Sequence, residues 1–218
     1  MFEFFANAWK ASSANKAMFI AGGIILLGTL GALVYALVGR LRGSPSTGDE
    51  AFMTTPNGEP IHWDKELFPI MVAFDPIFPE SYQVVYRSVA NQINEIIGKQ
   101  AIDIFGMAWM HPKKIESSDD VPIGHMYLTL SDPEMDHVGG SNSFSFNPIT
   151  GAMKACFIKV SPGLDSGMLN TTMRHEVGGH GFGLAHDRLE GSVMYATVDK
   201  RSKDFTDKDK QRLKEKYG

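Results

Sequence analysis

Three histidines and a glutamate lie within twelve residues of this chain: His175, Glu176, His180 and His186. A catalytic zinc ion takes three protein ligands and keeps a fourth position for water, and imidazole is a favoured ligand for it. A glutamate beside such a site can take a proton from that water. The segment therefore predicts a zinc centre in which His175, His180 and His186 are the ligands and Glu176 is the general base.

A glycine separates the second histidine from the third. Gly183 lies midway between His180 and His186. Because glycine has no Cβ, it can end a helix in a left-handed conformation and let the chain turn back. Such a turn would bring His186 to the same metal ion as His180.

The spacing of the first two histidines does not suit a regular helix. Side chains four residues apart lie about 40° apart around an α-helix, whereas five residues, as from His175 to His180, give about 140°. We predict a π-bulge, in which one wide turn absorbs the additional residue and Gly178 and Gly179 relieve crowding. Two alternatives stay open here. A regular helix would make Glu176 a ligand instead of His175, and a decayed motif would bind no metal.

The segment from His175 to His186 resembles the signature of the metzincin metallopeptidases, H-E-x-x-H-x-x-G-x-x-H, with one residue inserted between its first two histidines. Farther along, Ser192-Val193-Met194-Tyr195 resembles the Met-turn of that family. Asp187 is similar to the residue that follows the signature in adamalysins, and residues 213–218 are similar to the last helix of matrixins. The resemblance covers roughly residues 60–218.

The resemblance implies a zinc-dependent endopeptidase that hydrolyses peptide bonds in a protein or peptide substrate by means of zinc-activated water. It implies an α+β, or α/β-layered, catalytic domain with a mixed sheet and a zinc-binding helix. Met194 would form an apolar floor beneath the histidines, and Asp187 would either orient a ligand or cap backbone amides. Substrate would add to the strand that precedes the zinc helix, and the expected substrate-binding residues are Asn142, Ser143, Phe144 and Tyr195.

Two other functions remain open. One is a catalytically inactive protein that kept the fold for a structural or binding role. The other is the same chemistry directed at peptide cross-links of a cell wall.

Hydrophobic periodicity places the elements around this segment. Strands are predicted over 67–74, 101–110, 123–130, 141–146 and 154–160, and helices over 81–98 and from about residue 165. A last helix is predicted after Thr206, which forms a capping box with Asp209. The alternating charges of this last helix indicate a solvated surface.

The first forty residues have a different character. Residues 17–39 carry no charge and would span roughly 34 Å as a helix, slightly more than a bilayer core of about 30 Å. We predict an interfacial segment over 1–16, a transmembrane helix over 17–39 in contact with membrane lipid, a linker over 40–60 and the catalytic domain over 61–218. The protein would be a single-pass membrane protein with its domain outside the cytoplasm.

Net charge and cysteine content argue against a nucleic-acid-binding protein and against an intramolecular disulfide. The formal net charge of −4 gives no reason to expect nucleic-acid binding. Cys156 is the single cysteine, so an intramolecular disulfide is impossible, and we expect it to be a small buried strand residue. The oligomeric state stays open at this stage.

Overall fold

A computed structural model describes residues 51–110, 113–132, 139–196 and 203–218. Six strands and three α-helices form in this part of the chain. The strands are β1 (His62–Trp63), β2 (Met71–Phe74), β3 (Met107–Ala108), β4 (His125–Leu130), β5 (Gly140–Phe146) and β6 (Ala152–Val160). The helices are α1 (Glu80–Ile97), α2 (Ser166–Met173) and α3 (Asp207–Tyr217).

All six strands belong to one sheet, and most of its pairings are parallel. The order β1, β6, β4, β2, β3 is parallel throughout, whereas β5 runs antiparallel to β6. Among the described residues, no strand pairs with the other edge of β5. The predicted α+β class is therefore corrected to an α/β domain with a mostly parallel sheet.

The main core lies between this sheet and the helices. Met126 and Leu128 of β4 enter it, and Tyr127 between them enters a smaller apolar cluster with Phe157, as alternation along a strand requires. Helix α1 contributes a stripe of side chains at three- and four-residue spacing: Tyr82, Tyr86, Val89, Ala90, Ile93 and Ile97. The predicted helix over 81–98 is confirmed, and Gly98 ends it with a φ of 81°.

The strand predicted over 101–110 is wrong for most of its length. Ile102 makes one isolated bridge to Ile70, and only Met107 and Ala108 form a strand, with both residues exposed. The carboxylate of Asp103 accepts a hydrogen bond from the amide of Gly106 at 2.8 Å, and Gly106 has a φ of 66°. This side-chain turn interrupts the pairing with β2 between Ile102 and Met107.

The capping box at the start of α3 is confirmed, because Thr206 and Asp209 each accept from the other's backbone amide. The expectation that α3 is a solvated helix is wrong. Four of its residues are buried, and two of them are charged: Asp209, Arg212, Leu213 and Tyr217. The alternating charges gave no indication that one face of this helix packs against the rest of the domain.

Part of the predicted linker over 40–60 belongs to the folded domain. The amide of Met53 donates to the carbonyl of Gly183 at 2.8 Å, and Phe52 forms an antiparallel bridge with Leu184. Thr55 is buried and accepts hydrogen bonds from nearby amides. The domain boundary therefore lies no later than residue 51.

The membrane-anchored architecture is also corrected. Over the ranges that the structure describes, no helix combines the length and the apolar character needed to cross a bilayer. The described residues therefore do not support the predicted fold with a membrane helix or the single-pass localisation. The segments predicted over 1–16 and 17–39 lie outside the described residues.

Candidate metal centre

Helix α2 leads directly into the segment that carries the histidines. Asp165 caps its start by accepting from the amide of Met168. The helix then widens into a π-helical turn over Arg174–Gly179, continues as a short 3-10 turn over His180–Phe182, and ends at Gly183 with a φ of 83°. The predicted π-bulge and the chain reversal at Gly183 are both confirmed.

The wide turn brings the three imidazole rings together. One ligand atom from each of His175, His180 and His186 lies within 4.8 Å of the others. The Nε2 atoms of His180 and His186 are 3.0 Å apart, close to the separation of about 3.3 Å expected for two nitrogens on one tetrahedral zinc ion. These three histidines could hold a metal ion. Glu176 is not part of this group, which is against the alternative that made it a ligand.

Backbone carbonyls fix the tautomers of two of the rings. The Nδ1 atom of His175 lies 2.7 Å from the carbonyl oxygen of Val193, and the Nδ1 atom of His180 lies 2.9 Å from that of Leu184. A carbonyl only accepts, so each Nδ1 carries the proton and donates. Each Nε2 then keeps its lone pair available for a metal, an arrangement usual for metal-binding histidines.

The protein surroundings favour the neutral, metal-binding form of the histidines. Burial lowers the pKa of His175 to about 4, although its bond to Val193 opposes this shift. Burial also lowers the pKa of His180, helped by the two neighbouring imidazoles, and the pKa of His186. The rings are therefore neutral near neutral pH, each with one proton, so a metal need not displace a second proton from an imidazolium.

Glu176 directly follows the first histidine in the chain and has an unsatisfied carboxyl group. The residue is buried, its Oε2 atom has no hydrogen-bond partner, and burial raises the pKa of its side chain to about 8. A buried polar atom without a partner is rare and costly, and it is common at functional sites. The three imidazoles form a donor set that fits a metal ion, and the unpartnered oxygen belongs to the residue that follows the first of them.

The glycine pair in the wide turn permits close packing. A Cβ built on Gly179 would lie 2.0 Å from the sulfur of Met194, and a Cβ on Gly178 would lie 2.6 Å from the ring of Phe205 and 3.0 Å from Ile93. Larger residues would push the turn off its support. The pair was expected to relieve crowding within the helix, and the structure shows that it also seats the turn on its neighbours.

The segment over 192–195 packs against the wide turn. This side chain is fully buried against Gly179, and the preceding carbonyl of Val193 orients His175. The hydroxyl of Ser192 accepts from the amide of Met194 and donates to the carboxylate of Asp209 in α3, both at 2.9 Å. Helix α3 therefore holds the turn that carries Met194.

Of the two roles expected for Asp187, the structure favours backbone capping. Its carboxylate accepts from the amide of Leu189 at 2.9 Å. It also forms ion pairs with Lys208 at 2.7 Å and Arg212 at 3.0 Å, both on α3. Arg212 was not predicted, and Asp209 was predicted only as a member of the capping box with Thr206. The alternating charges of the helix indicated a solvated surface and gave no sign of these buried contacts.

The residues expected to bind substrate differ in exposure. Ser143 is exposed, whereas Phe144 is half-buried and packs against the main core. Tyr195 is half-buried, with the ammonium group of Lys203 4.9 Å from the centre of its ring. Asn142 uses both polar atoms of its side chain inside the protein, toward Glu176 and Cys156.

No protein-family model matches the chain, and no curated protein matches it significantly. The similarity to metzincins consequently rests on the signature residues and on the site geometry described above.

Proposed function

We propose that this protein is a zinc-dependent metallopeptidase, in which His175, His180 and His186 bind zinc and Glu176 is the general base. One observation carries the proposal. The imidazoles of His175, His180 and His186 converge on a common point. The wide turn that carries His175 also carries Glu176, whose buried carboxyl has an unpartnered oxygen. The metzincin-like signature and the Met194 turn support the same function.

Different residues of the chain bind the metal, orient the metal ligands and transfer the proton during hydrolysis. The histidine Nε2 atoms hold the ion, and the carbonyls of Val193 and Leu184 keep their rings oriented. A bound zinc ion would polarise the scissile carbonyl and make water more acidic. Glu176 takes a proton from water at its unpartnered oxygen and returns it to the leaving amine, and its raised pKa makes the ionised carboxylate a stronger base than an exposed glutamate.

The test combines metal content with turnover of a generic peptide, with and without a chelator. We expect about one zinc ion per chain, hydrolysis that the chelator abolishes, and recovery on adding zinc. Glu176→Gln should keep the zinc and lose at least about 100-fold in kcat. His175→Ala should lose zinc, whereas His62→Ala, which removes a histidine outside the group of three, should not.

Two results would count against the proposal. If Glu176→Gln lost its zinc, the carboxyl would be a ligand and the site would lack its base. If the wild-type chain held zinc but cleaved no peptide, it would be a zinc-binding protein and not a peptidase.

A further inference from the structure

The wide turn requires two hydrogen-bond patterns to coexist. The amide of His180 donates both to the carbonyl of His175, as in a π-helix, and to the carbonyl of Glu176, as in a regular α-helix. A shared donor satisfies each acceptor only partly, and buried carbonyls need partners. If the Glu176 carbonyl took this amide alone, the turn would relax to a regular helix. His175 would then rotate by roughly 100° away from His180.

Asn142 supplies a second donor to that carbonyl. Its Nδ2 atom donates to the oxygen of Glu176 at 2.9 Å from the neighbouring strand β5. With this bond in place, the Glu176 carbonyl has a partner of its own, and the amide of His180 can be shared with His175. The π-helical pattern is then stabilised over the regular one.

A second contact fixes which way the Asn142 amide faces. The thiol of Cys156 on β6 donates to Oδ1 of Asn142 at 3.0 Å. A thiol that donates requires an acceptor, so the oxygen faces Cys156 and the nitrogen faces Glu176. Burial raises the pKa of the Cys156 thiol, which keeps its proton in place.

The same strand also touches the Glu176 side chain. A Cβ on Gly140, two residues before Asn142 and on the same face of β5, would lie 2.8 Å from Cγ of Glu176. Strand β5 therefore contacts both the main chain and the side chain of Glu176.

We infer that Asn142 is a positioning residue, whose carboxamide maintains the wide turn that directs His175 to the metal and places Glu176 beside it. The inference rests on the proposed function for the part that concerns Glu176. The part that concerns His175 needs only that the three histidines bind zinc.

The experiment measures the zinc affinity of the full chain by competition with a chromophoric chelator, and the visible bands of the protein loaded with Co²⁺. Asn142→Leu removes both hydrogen bonds, and Asn142→Asp keeps the shape but removes the donor. Both should weaken zinc binding about 10-fold or more and change the intensity of the Co²⁺ bands, which reports ligand geometry. Cys156→Ser, which keeps a donor to Asn142, and Ser145→Ala, on the same strand, should leave both readouts within about twofold.

Unfolding of the metal-free variants separates positioning from mere stability. If both Asn142 variants unfold more easily yet bind zinc with wild-type affinity and unchanged Co²⁺ bands, the inference is wrong. Should Asn142→Leu not fold, Asn142→Asp decides the question alone. If the wild-type chain binds zinc but cleaves no peptide, the proposed function fails, while the zinc affinities still decide whether Asn142 positions the site.

Discussion

The carboxylate of Asp187 and the guanidinium of Arg212 meet at 3.0 Å in the interior of the domain. Their side chains are 4% and 9% exposed, so this is a buried ion pair. It joins the residue after His186 to helix α3, which also holds Ser192 through Asp209. The metal-binding segment is thus held against helix α3 by an ion pair as well as by apolar packing.

Loss of Arg212 should destabilise the domain strongly. Arg212→Met leaves the buried carboxylates of Asp187 and Asp209 short of a cation, and breaking a buried pair costs about 3 kcal/mol. Denaturant unfolding would measure this loss. Lys208→Met removes a half-exposed partner of the same carboxylate and should cost at most about 1 kcal/mol. Equal destabilisation by Arg212→Met and Lys208→Met would contradict the expectation that the loss of Arg212 costs more than the loss of Lys208.

A methyl group on Gly179 should disturb the wide turn. Gly179→Ala places a carbon where the sulfur of Met194 lies, and overpacking of this kind costs about 1–3 kcal/mol. We expect lower stability and weaker zinc binding, measured by thermal unfolding and chelator competition. Adding Met194→Ala should relieve part of the zinc-binding defect. Gly191→Ala is the matched control, because nothing lies within 4 Å of its Cβ position and it should change neither measurement.

The buried carboxyl of Glu176 should make the metal-free protein less stable as the pH rises. In the folded chain the pKa is raised to about 8 from an ordinary value of 4.5, so the folded state binds the proton more tightly than the unfolded state. The free energy of unfolding therefore falls with increasing pH from about 4.5 to about 8. Between pH 6.5 and 8 the wild type should lose on the order of 2 kcal/mol relative to Glu176→Gln.

Urea unfolding with a chelator present would measure this difference. The buried histidines, whose pKa values are lowered, contribute a stability that falls as the pH decreases through their unfolded value of 6.5, and this contribution is common to both proteins and cancels in their difference. Parallel curves for the wild type and Glu176→Gln would show that the carboxyl does not titrate as described.

Zinc itself should stabilise the folded chain. A ligand at about 1,000 times its dissociation constant adds roughly 4 kcal/mol, because it binds only the folded state. Thermal unfolding with and without zinc should show this increase in the wild type and in His62→Ala. His186→Ala should lose most of it. A wild-type melting temperature that zinc does not raise would argue against a formed centre.

The metal centre was largely predictable from sequence because its geometry is local. The spacing of His175 and His180 admits few solutions, and the glycines between them indicate which one the chain adopts. Helix α1 and the capping box at Thr206 were predictable for the same reason, since their signals lie within a few residues.

Other features depend on partners far away in the chain. The amide of Asn142 pairs with Glu176 over 34 residues, and Arg212 pairs with Asp187 over 25 residues. No local pattern marks such contacts. The strand predicted over 101–110 failed because one carboxylate, Asp103, redirects an apolar run that hydrophobicity alone assigns to the sheet.

The side chains that alternate along β5 restrict the register in which this strand can pair with β6. Gly140, Asn142 and Phe144 share one face of β5, while Ser141 and Ser143 lie on the opposite face. A slip of one residue would exchange these two rows. A slip in one direction would place Ser141 where glycine fits against Glu176, and a slip in either direction would point the carboxamide of Asn142 away from the wide turn. A β5 strand in the wrong register would therefore be incompatible with the folded metal site. Formation of the sheet and formation of the zinc-binding turn thus favour the same register.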